Sequence, residues 1–298
     1  MPRISPAVLK LAAITDRRLP YLLRQNNGNI SEAKQELRWI KNELSSSRSI
    51  NMACWLRFNA VPLQYVLKSQ PFGPLELSVR PGVLIPRWET EEWCIDLIEN
   101  LPDNGPDGNF KSLDLCSGSG CIGLSISHAR PTYSVSLVEF SSKAIAVLKD
   151  NIERLHLRDR NIQCIQADIL KNSESIYANE KFNIITCNPP YIPSDEFVKE
   201  CTTSVKMYEP RLALVADMEF YDNLVKHWIH RTESFVYEVG DIRQCQHVVN
   251  GLSHSNQWVT GIKYDSNNKA RCVYGYQTAS ASGVDYGKIF SSFSTDRY

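Results

Sequence analysis

Asn188, Pro189, Pro190 and Tyr191 follow an apolar run, Phe182 to Cys187, that reads as a buried strand. Neither proline can donate a backbone hydrogen bond, and each has φ held at about −65°. A residue that precedes a proline is driven to extended backbone, which restricts both Asn188 and Pro189. The strand therefore ends in a stiff turn that offers carbonyl acceptors, one side-chain amide and an aromatic ring. That combination suits a planar –NH₂ group. Tyr191 on its own could also be an ordinary core tyrosine.

A second chemical element lies upstream. A strand at Ser112–Leu115 runs into Cys116-Ser117-Gly118-Ser119-Gly120-Cys121-Ile122-Gly123, where a helix is expected to begin. Gly118, Gly120 and Gly123 satisfy G-x-G-x-x-G, and Glu139 closes the next strand about twenty residues on, where a ribose-binding acid belongs. The pattern fits a dinucleotide dehydrogenase and equally a nucleoside-binding methyltransferase. Asp114 inside the first strand and Asp168 at the end of the third favour the methyltransferase. Acids at three successive positions suit a ligand rich in donors and positively charged, such as S-adenosylmethionine, and would repel a pyrophosphate. Each acid alone could be a helix cap or a solvated loop end.

The elements that must position these residues follow an α/β alternation beyond Asn109. Strands are expected at Ser112–Leu115, Ser134–Phe140, Ile162–Ala167, Phe182–Cys187, Ser234–Val239, Trp258–Tyr264 and Arg271–Tyr276. Helices such as Lys143–Leu155 and Phe220–Thr232 fit between most of them. This order implies a doubly wound, mainly parallel Rossmann-like sheet with ligands at the carboxyl ends of its strands. The last two strands leave no room for a helix and form an antiparallel hairpin at one edge. Residues 1–70 read as a small helical domain in which Ile30, Ala33, Leu37, Ile40 and Leu44 make an amphipathic stripe. Asn29 and Glu32 resemble a capping box at its start. Residues 71–86, rich in proline and glycine, read as a linking β-hairpin, residues 87–278 as the catalytic domain, and residues 279–298 as a loose Ser/Gly-rich tail.

Composition bounds the rest. The chain has 298 residues, with 33 basic and 33 acidic side chains, and so lacks the basic excess of a bulk nucleic-acid binder. No apolar run reaches the roughly 20 residues that span a bilayer. Nine cysteines without a Cys-x-x-Cys pair argue against a disulfide framework or structural zinc and for a reducing compartment. Cys116, Cys121 and Cys187 read as small buried residues. The six histidines, His227 and His230 included, show no metal-ligand constellation. The first 25 residues are basic and acid-poor, compatible with a mitochondrial transit peptide and equally with a basic first helix.

With these residues in hand, the chain resembles the HemK/PrmC family of release-factor glutamine methyltransferases from about residue 30 to 276. The resemblance rests on Pro62-Leu63-Gln64-Tyr65-Val66-Leu67, on Val83-Leu84-Ile85-Pro86-Arg87-Trp88-Glu89-Thr90-Glu91, and on the glycine loop. It continues through the Asn-Pro-Pro-Tyr turn with Ile192-Pro193, Tyr208-Glu209-Pro210-Arg211-Leu212-Ala213-Leu214, Glu238-Val239-Gly240 and Lys263-Tyr264-Asp265…Arg271. Three positions depart from the family: Cys116 where a glycine is usual, Trp88 for a proline, and Glu139 for an aspartate.

The resemblance implies a fold, an activity and a set of roles. The fold is a class I S-adenosylmethionine-dependent methyltransferase with a helical domain that recognises substrate. The activity is methyl transfer to the glutamine side chain of a Gly-Gly-Gln motif in a peptide-chain release factor, leaving S-adenosylhomocysteine. Asn188, Pro189 and Tyr191 would be catalytic, and Asn188 to Tyr191, Pro190 included, would bind the glutamine. Asp114, Cys116, Ser117, Gly118, Ser119, Gly120, Glu139, Asp168, Ile169 and Asn188 would bind the cofactor. Acceptors on the substrate –NH₂, the Asn188 side-chain oxygen and the Pro189 carbonyl, would hold its plane and favour the charge that grows on nitrogen. Glu89, Thr90 and Glu91 either stabilise a helix N-terminus or wall the site.

The bacterial-type helical domain and the basic N-terminus together point to a mitochondrial enzyme, with a bacterial-type cytoplasmic one as the alternative. A monomer is expected, with no membrane or direct nucleic-acid partner and no metal. A nucleic-acid amino methyltransferase is the competing activity. A non-catalytic adaptor and a dehydrogenase fit the motifs less well.

Overall fold

The computed structural model describes residues 3–105, 108–293 and 296–297. Five helices open the chain: Pro6–Thr15, Leu19–Leu22, Ile30–Glu43, Ser47–Phe58 and Leu63–Leu67. The expected stripe turns inward, so Ala33, Leu37 and Ile40 pack with Leu19, Leu22, Leu23 and Ala53 in a core of their own. Ala12, within the basic N-terminal segment, is buried there too. The capping box is half built. Asn29 Oδ1 accepts from the Ser31 and Glu32 N–H groups, but Glu32 meets the Asn29 side chain and not its backbone.

A hairpin follows, with β1 at Ser69–Phe72 and β2 at Leu75–Ser78, turning at Gly73 with φ +54°. It begins at Ser69, ahead of the expected residue 71. Asn151, fully buried on the Ser142–Arg154 helix, accepts from Ser78 N–H at 2.6 Å and donates to the Ser119 carbonyl at 2.9 Å. One side chain thus ties the hairpin to the glycine loop.

Among the described residues the main sheet has eight strands. Five are parallel: β3 Lys111–Leu115, β4 Ser134–Glu139, β5 Ile162–Gln166, β6 Ile184–Cys187 and β7 Ser234–Glu238. The antiparallel strands β8 Trp258–Tyr264, β9 Ala270–Gln277 and β10 Asp296–Arg297 complete one edge. The order β10-β8-β9-β7-β6-β3-β4-β5 reverses direction between β3 and β6. A reversal of this kind opens a crevice at the carboxyl ends, where open α/β sheets bind ligands. Leu115 pairs with Cys187, so Cys116 and Asn188 leave neighbouring strands side by side at that crevice.

Two expectations fail. The segment 279–298 is no loose tail over its described part. Tyr286–Phe293 is a helix whose Tyr286, Ile289, Phe290 and Phe293 are buried. Phe290 stacks on Tyr274 and Tyr276 with ring centroids 5.0 and 5.4 Å apart. The Ser-rich run before it is anchored by Glu233, which accepts from Ser280, Ser282 and Tyr286. The helix over Phe220–Thr232 is also discontinuous. It starts as α-helix at Glu219–Asn223, widens to a π turn at Leu224–Trp228 and tightens at Ile229–Arg231. Across the wide turn the Trp228 indole N–H donates to Asn223 Oδ1 at 2.7 Å.

Candidate active site

The crevice holds a cavity of about 930 Å³, the open solvent at its mouth included. Its walls come from separate parts of the chain. Gly82, Val83 and Leu84 follow the hairpin; Cys116 and Gly118 come from the glycine loop; Glu139, Phe140 and Ser141 from the end of β4; Ala167 to Leu170 from the end of β5; Asn188 and Pro190 from the end of β6. Pro210, Leu212, Ala213 and Phe220 close the remaining side. Among the described residues, no lysine, arginine or histidine lines it.

Backbone donors hold the acids in place. Glu139 Oε2 accepts from Gly118 N–H at 2.8 Å and Oε1 from Ser141 N–H at 2.7 Å. Burial pushes the Glu139 carboxyl above its ordinary value, and these backbone bonds offset part of the rise. Asp168 caps the short Ile169–Asn172 helix by accepting from Leu170 N–H at 3.0 Å while still facing the cavity. Cys116 has φ +55°, in the left-handed region that favours glycine. The structure thus gives a backbone reason for the glycine usual at that position.

Of the ten residues expected around the cofactor, Cys116, Gly118, Glu139, Asp168, Ile169 and Asn188 line the cavity. Asp114, Ser117, Ser119 and Gly120 do not; they build the loop from beneath. The Ser117 hydroxyl donates to the Asp114 carbonyl at 2.8 Å, and Gly120 N–H donates to the Ser117 carbonyl at 2.7 Å. Asp114 is fully buried and accepts from Thr186 Oγ1 at 2.9 Å on the paired strand. Burial raises its carboxyl to about 7. A Cβ on Gly123 would lie 2.2 Å from Leu137 and 3.2 Å from Asp114, so this glycine permits helix-to-strand contact and does not line the cavity.

The tetrapeptide stands at the other end of the crevice. Asn188 and Leu84 line both the cavity and an adjoining small cleft formed with Arg87, Tyr191 and Ile192. Pro190 faces the cavity, and Pro189 is buried and lines neither space. Gln244 holds the Tyr191 backbone by donating to its carbonyl at 2.9 Å. Gly240 makes room for the ring: a Cβ there would fall 2.9 Å from Tyr191 Cδ2.

Thr90, on the opening turn of the Trp88–Asn100 helix, is buried and accepts from Asn188 Nδ2 at 3.0 Å. It donates to Glu238 Oε2 at 2.7 Å, and the Trp93 indole N–H reaches the same oxygen at 2.8 Å. Tyr191 OH donates to Glu238 Oε1 at 3.2 Å. Burial raises the Glu238 carboxyl, and these donors together with the charge of Arg271 oppose the rise. Neither Glu89 nor Glu91 lines the cavity; Glu91 accepts from Gly73 N–H at 3.0 Å. The sequence reading therefore missed Thr90 and Glu238 as partners of Asn188. It also missed the apolar walls Val83, Phe140, Leu212 and Phe220.

A family described as conserved hypothetical protein 95 matches residues 102–230. The N-terminal domain of human METTL16, solved in complex with SAH, superposes with a TM-score of 0.52 at 16% identity over 75% of this chain and 83% of that one. That likeness shows the class I methyltransferase fold. The probable MRF1 mitochondrial N(5)-glutamine methyltransferase mtq1 of Schizosaccharomyces pombe is 33% identical over 90% of this chain and 95% of its own length. The mitochondrial MRF1 N(5)-glutamine methyltransferase MTQ1 of Saccharomyces cerevisiae is 40% identical over 100% of this chain and 96% of its own. At that identity over essentially the full length of both chains, this chain belongs to the N5-glutamine methyltransferase family.

Proposed function

We propose that this protein transfers a methyl group from S-adenosylmethionine to the side-chain N5 of the glutamine in the Gly-Gly-Gln motif of a mitochondrial release factor. The observation that carries this reading is the position of Asn188 on the wall shared by the two spaces. One space suits a nucleoside and the other a small planar group.

The cavity residues fit the cofactor. Two carboxylates, Glu139 and Asp168, face a space with no cationic wall among the described residues, so it favours a cationic nucleoside over a pyrophosphate. When bound, S-adenosylmethionine supplies an electrophilic methyl group. Asn188 Oδ1 accepts from the substrate –NH₂ and holds its plane, while the buried Pro189 stiffens the turn behind it. Acceptors aimed at the charge growing on nitrogen act mostly in the transition state. Tyr191 covers the glutamine stem, and the proton then leaves to solvent without a prior general base.

The helical domain supplies the grip on the release factor. A polar groove lined by Arg24, Trp39, Arg57, Thr203 and Arg87 runs from those helices toward the small cleft that Arg87 also lines. A mitochondrial location accords with the names of both fungal relatives.

The test is to incubate the protein with labelled S-adenosylmethionine and release-factor fragments bearing Gly-Gly-Gln or Gly-Gly-Ala. Label confined to the glutamine fragment is expected. Equal label on both fragments would remove the glutamine assignment, and label on RNA instead would put a nucleic-acid methyltransferase in its place.

A further inference from the structure

A buried amide can present either end to a neighbour, and heavy-atom positions alone do not decide which; the hydrogen-bond network does. The network around Asn188 has a single sense. The Trp93 indole N–H can only donate, so the Glu238 Oε2 atom it meets at 2.8 Å must accept. Thr90 Oγ1 lies 2.7 Å from the same oxygen. An ionised Glu238 can only accept, so the one hydrogen of the Thr90 hydroxyl lies on this oxygen. Only lone pairs then remain on Thr90 Oγ1 to meet Asn188 at 3.0 Å. Asn188 must offer its –NH₂ to Thr90, which leaves Oδ1 facing away from it.

We propose that Trp93, Glu238 and Thr90 form a directed relay that holds the Asn188 amide with its oxygen toward the substrate amide. The inference rests on the function proposed above and adds positioning residues to it. Thr90, Trp93 and Glu238 line neither the cavity nor the small cleft; they act through Asn188.

Glu238 also fixes the last member of the tetrapeptide, because its other oxygen accepts from Tyr191 OH at 3.2 Å. One carboxylate thus orients Asn188 through Thr90 and Tyr191 directly. It is fully buried at the end of β7, the strand paired with β6. A buried network whose members are all satisfied is rigid. Without the relay, the Asn188 amide could turn and set two –NH₂ groups against each other.

The substitutions Thr90→Val and Thr90→Ser separate orientation from packing. Valine keeps the shape but offers no lone pair, whereas serine keeps the hydroxyl. The readouts are kcat and KM for a Gly-Gly-Gln fragment, cofactor Kd and thermal unfolding. Thr90→Val is expected to lower kcat about 10²-fold, the scale of a misplaced positioning contact. Its cofactor Kd should be unchanged, and Thr90→Ser should recover most of the rate. Thr90→Val at the wild-type kcat overturns the relay. So do equal losses in Thr90→Val and Thr90→Ser that track lost thermal stability.

A measurement on the unmutated chain stands even if Thr90→Val does not fold. The side-chain amide resonances of Asn188, identified by their absence in Asn188→Ala, should include one slowly exchanging hydrogen. Fast exchange of both hydrogens also overturns the relay. Failure of the wild-type enzyme to label the glutamine fragment would instead remove the proposed function, and the exchange measurement would still decide the relay.

Discussion

The two ends of the crevice are built by opposite means. At the end proposed for the cofactor, backbone N–H groups of Gly118, Ser141 and Leu170 hold the acids, and apolar side chains form the walls. At the amide end, side chains hold side chains: Asn188, Thr90, Trp93, Glu238 and Tyr191 come from three elements far apart in sequence. Backbone-held groups survive substitution of their neighbours as long as the loop keeps its shape. A relay of side chains fails at any link. The cofactor end should therefore tolerate Cys116 and Glu139 at positions where the family usually has glycine and aspartate, and the amide end should tolerate little.

Substitutions can sharpen or break this contrast. The largest effect is expected from Asn188→Ala, which should cut the rate about 10²- to 10³-fold, the scale of losing one transition-state acceptor. Cofactor Kd, read by calorimetry, should change little; a parallel loss of affinity would merge the two ends. Glu139→Ala should do the reverse, raising cofactor Kd about 10- to 100-fold as a charged hydrogen-bond partner is lost. Its rate at saturating cofactor should hold. Tyr191→Phe removes only the bond to Glu238 and should cost about threefold in rate. A loss as large as that of Asn188→Ala would give the hydroxyl a chemical role.

Stability against pH supplies a further check. Asp114, raised to about 7, holds a proton in the folded chain that the unfolded chain has released. Its contribution is full below the unfolded carboxylate value and is lost as pH rises through the folded one. Denaturant unfolding should therefore show stability falling between about pH 4 and pH 7. Stability rising across that window would contradict the burial of this acid.

The parts legible in the sequence were those carried by local chemistry. Asn188 and Tyr191 announce themselves through the prolines between them, Gly118 and Glu139 through motif spacing, and the parallel sheet through strand and helix alternation. A strand-end acid such as Asp114 resembles a pocket acid until its strand pairing is known. Its register with Thr186 turns the side chain to a buried partner beneath the loop. Thr90 and Glu238 are 148 residues apart, and no local pattern joins them. The helix at Tyr286–Phe293 had a signal: Tyr286, Ile289, Phe290 and Phe293 recur at helical spacing, but the serine and glycine content around them concealed it.

The claim that the two ends do separable work is tested most directly by the variant carrying both Asn188→Ala and Glu139→Ala. Its single-turnover methyl transfer to a Gly-Gly-Gln fragment and its cofactor Kd would be measured beside each single variant. The account predicts that the losses multiply, the rate matching Asn188→Ala and the Kd matching Glu139→Ala, with coupling within about 0.5 kcal/mol. A rate or a Kd in the double variant that departs from those single-variant values by more than this coupling would show that the crevice works as one unit and would contradict the account.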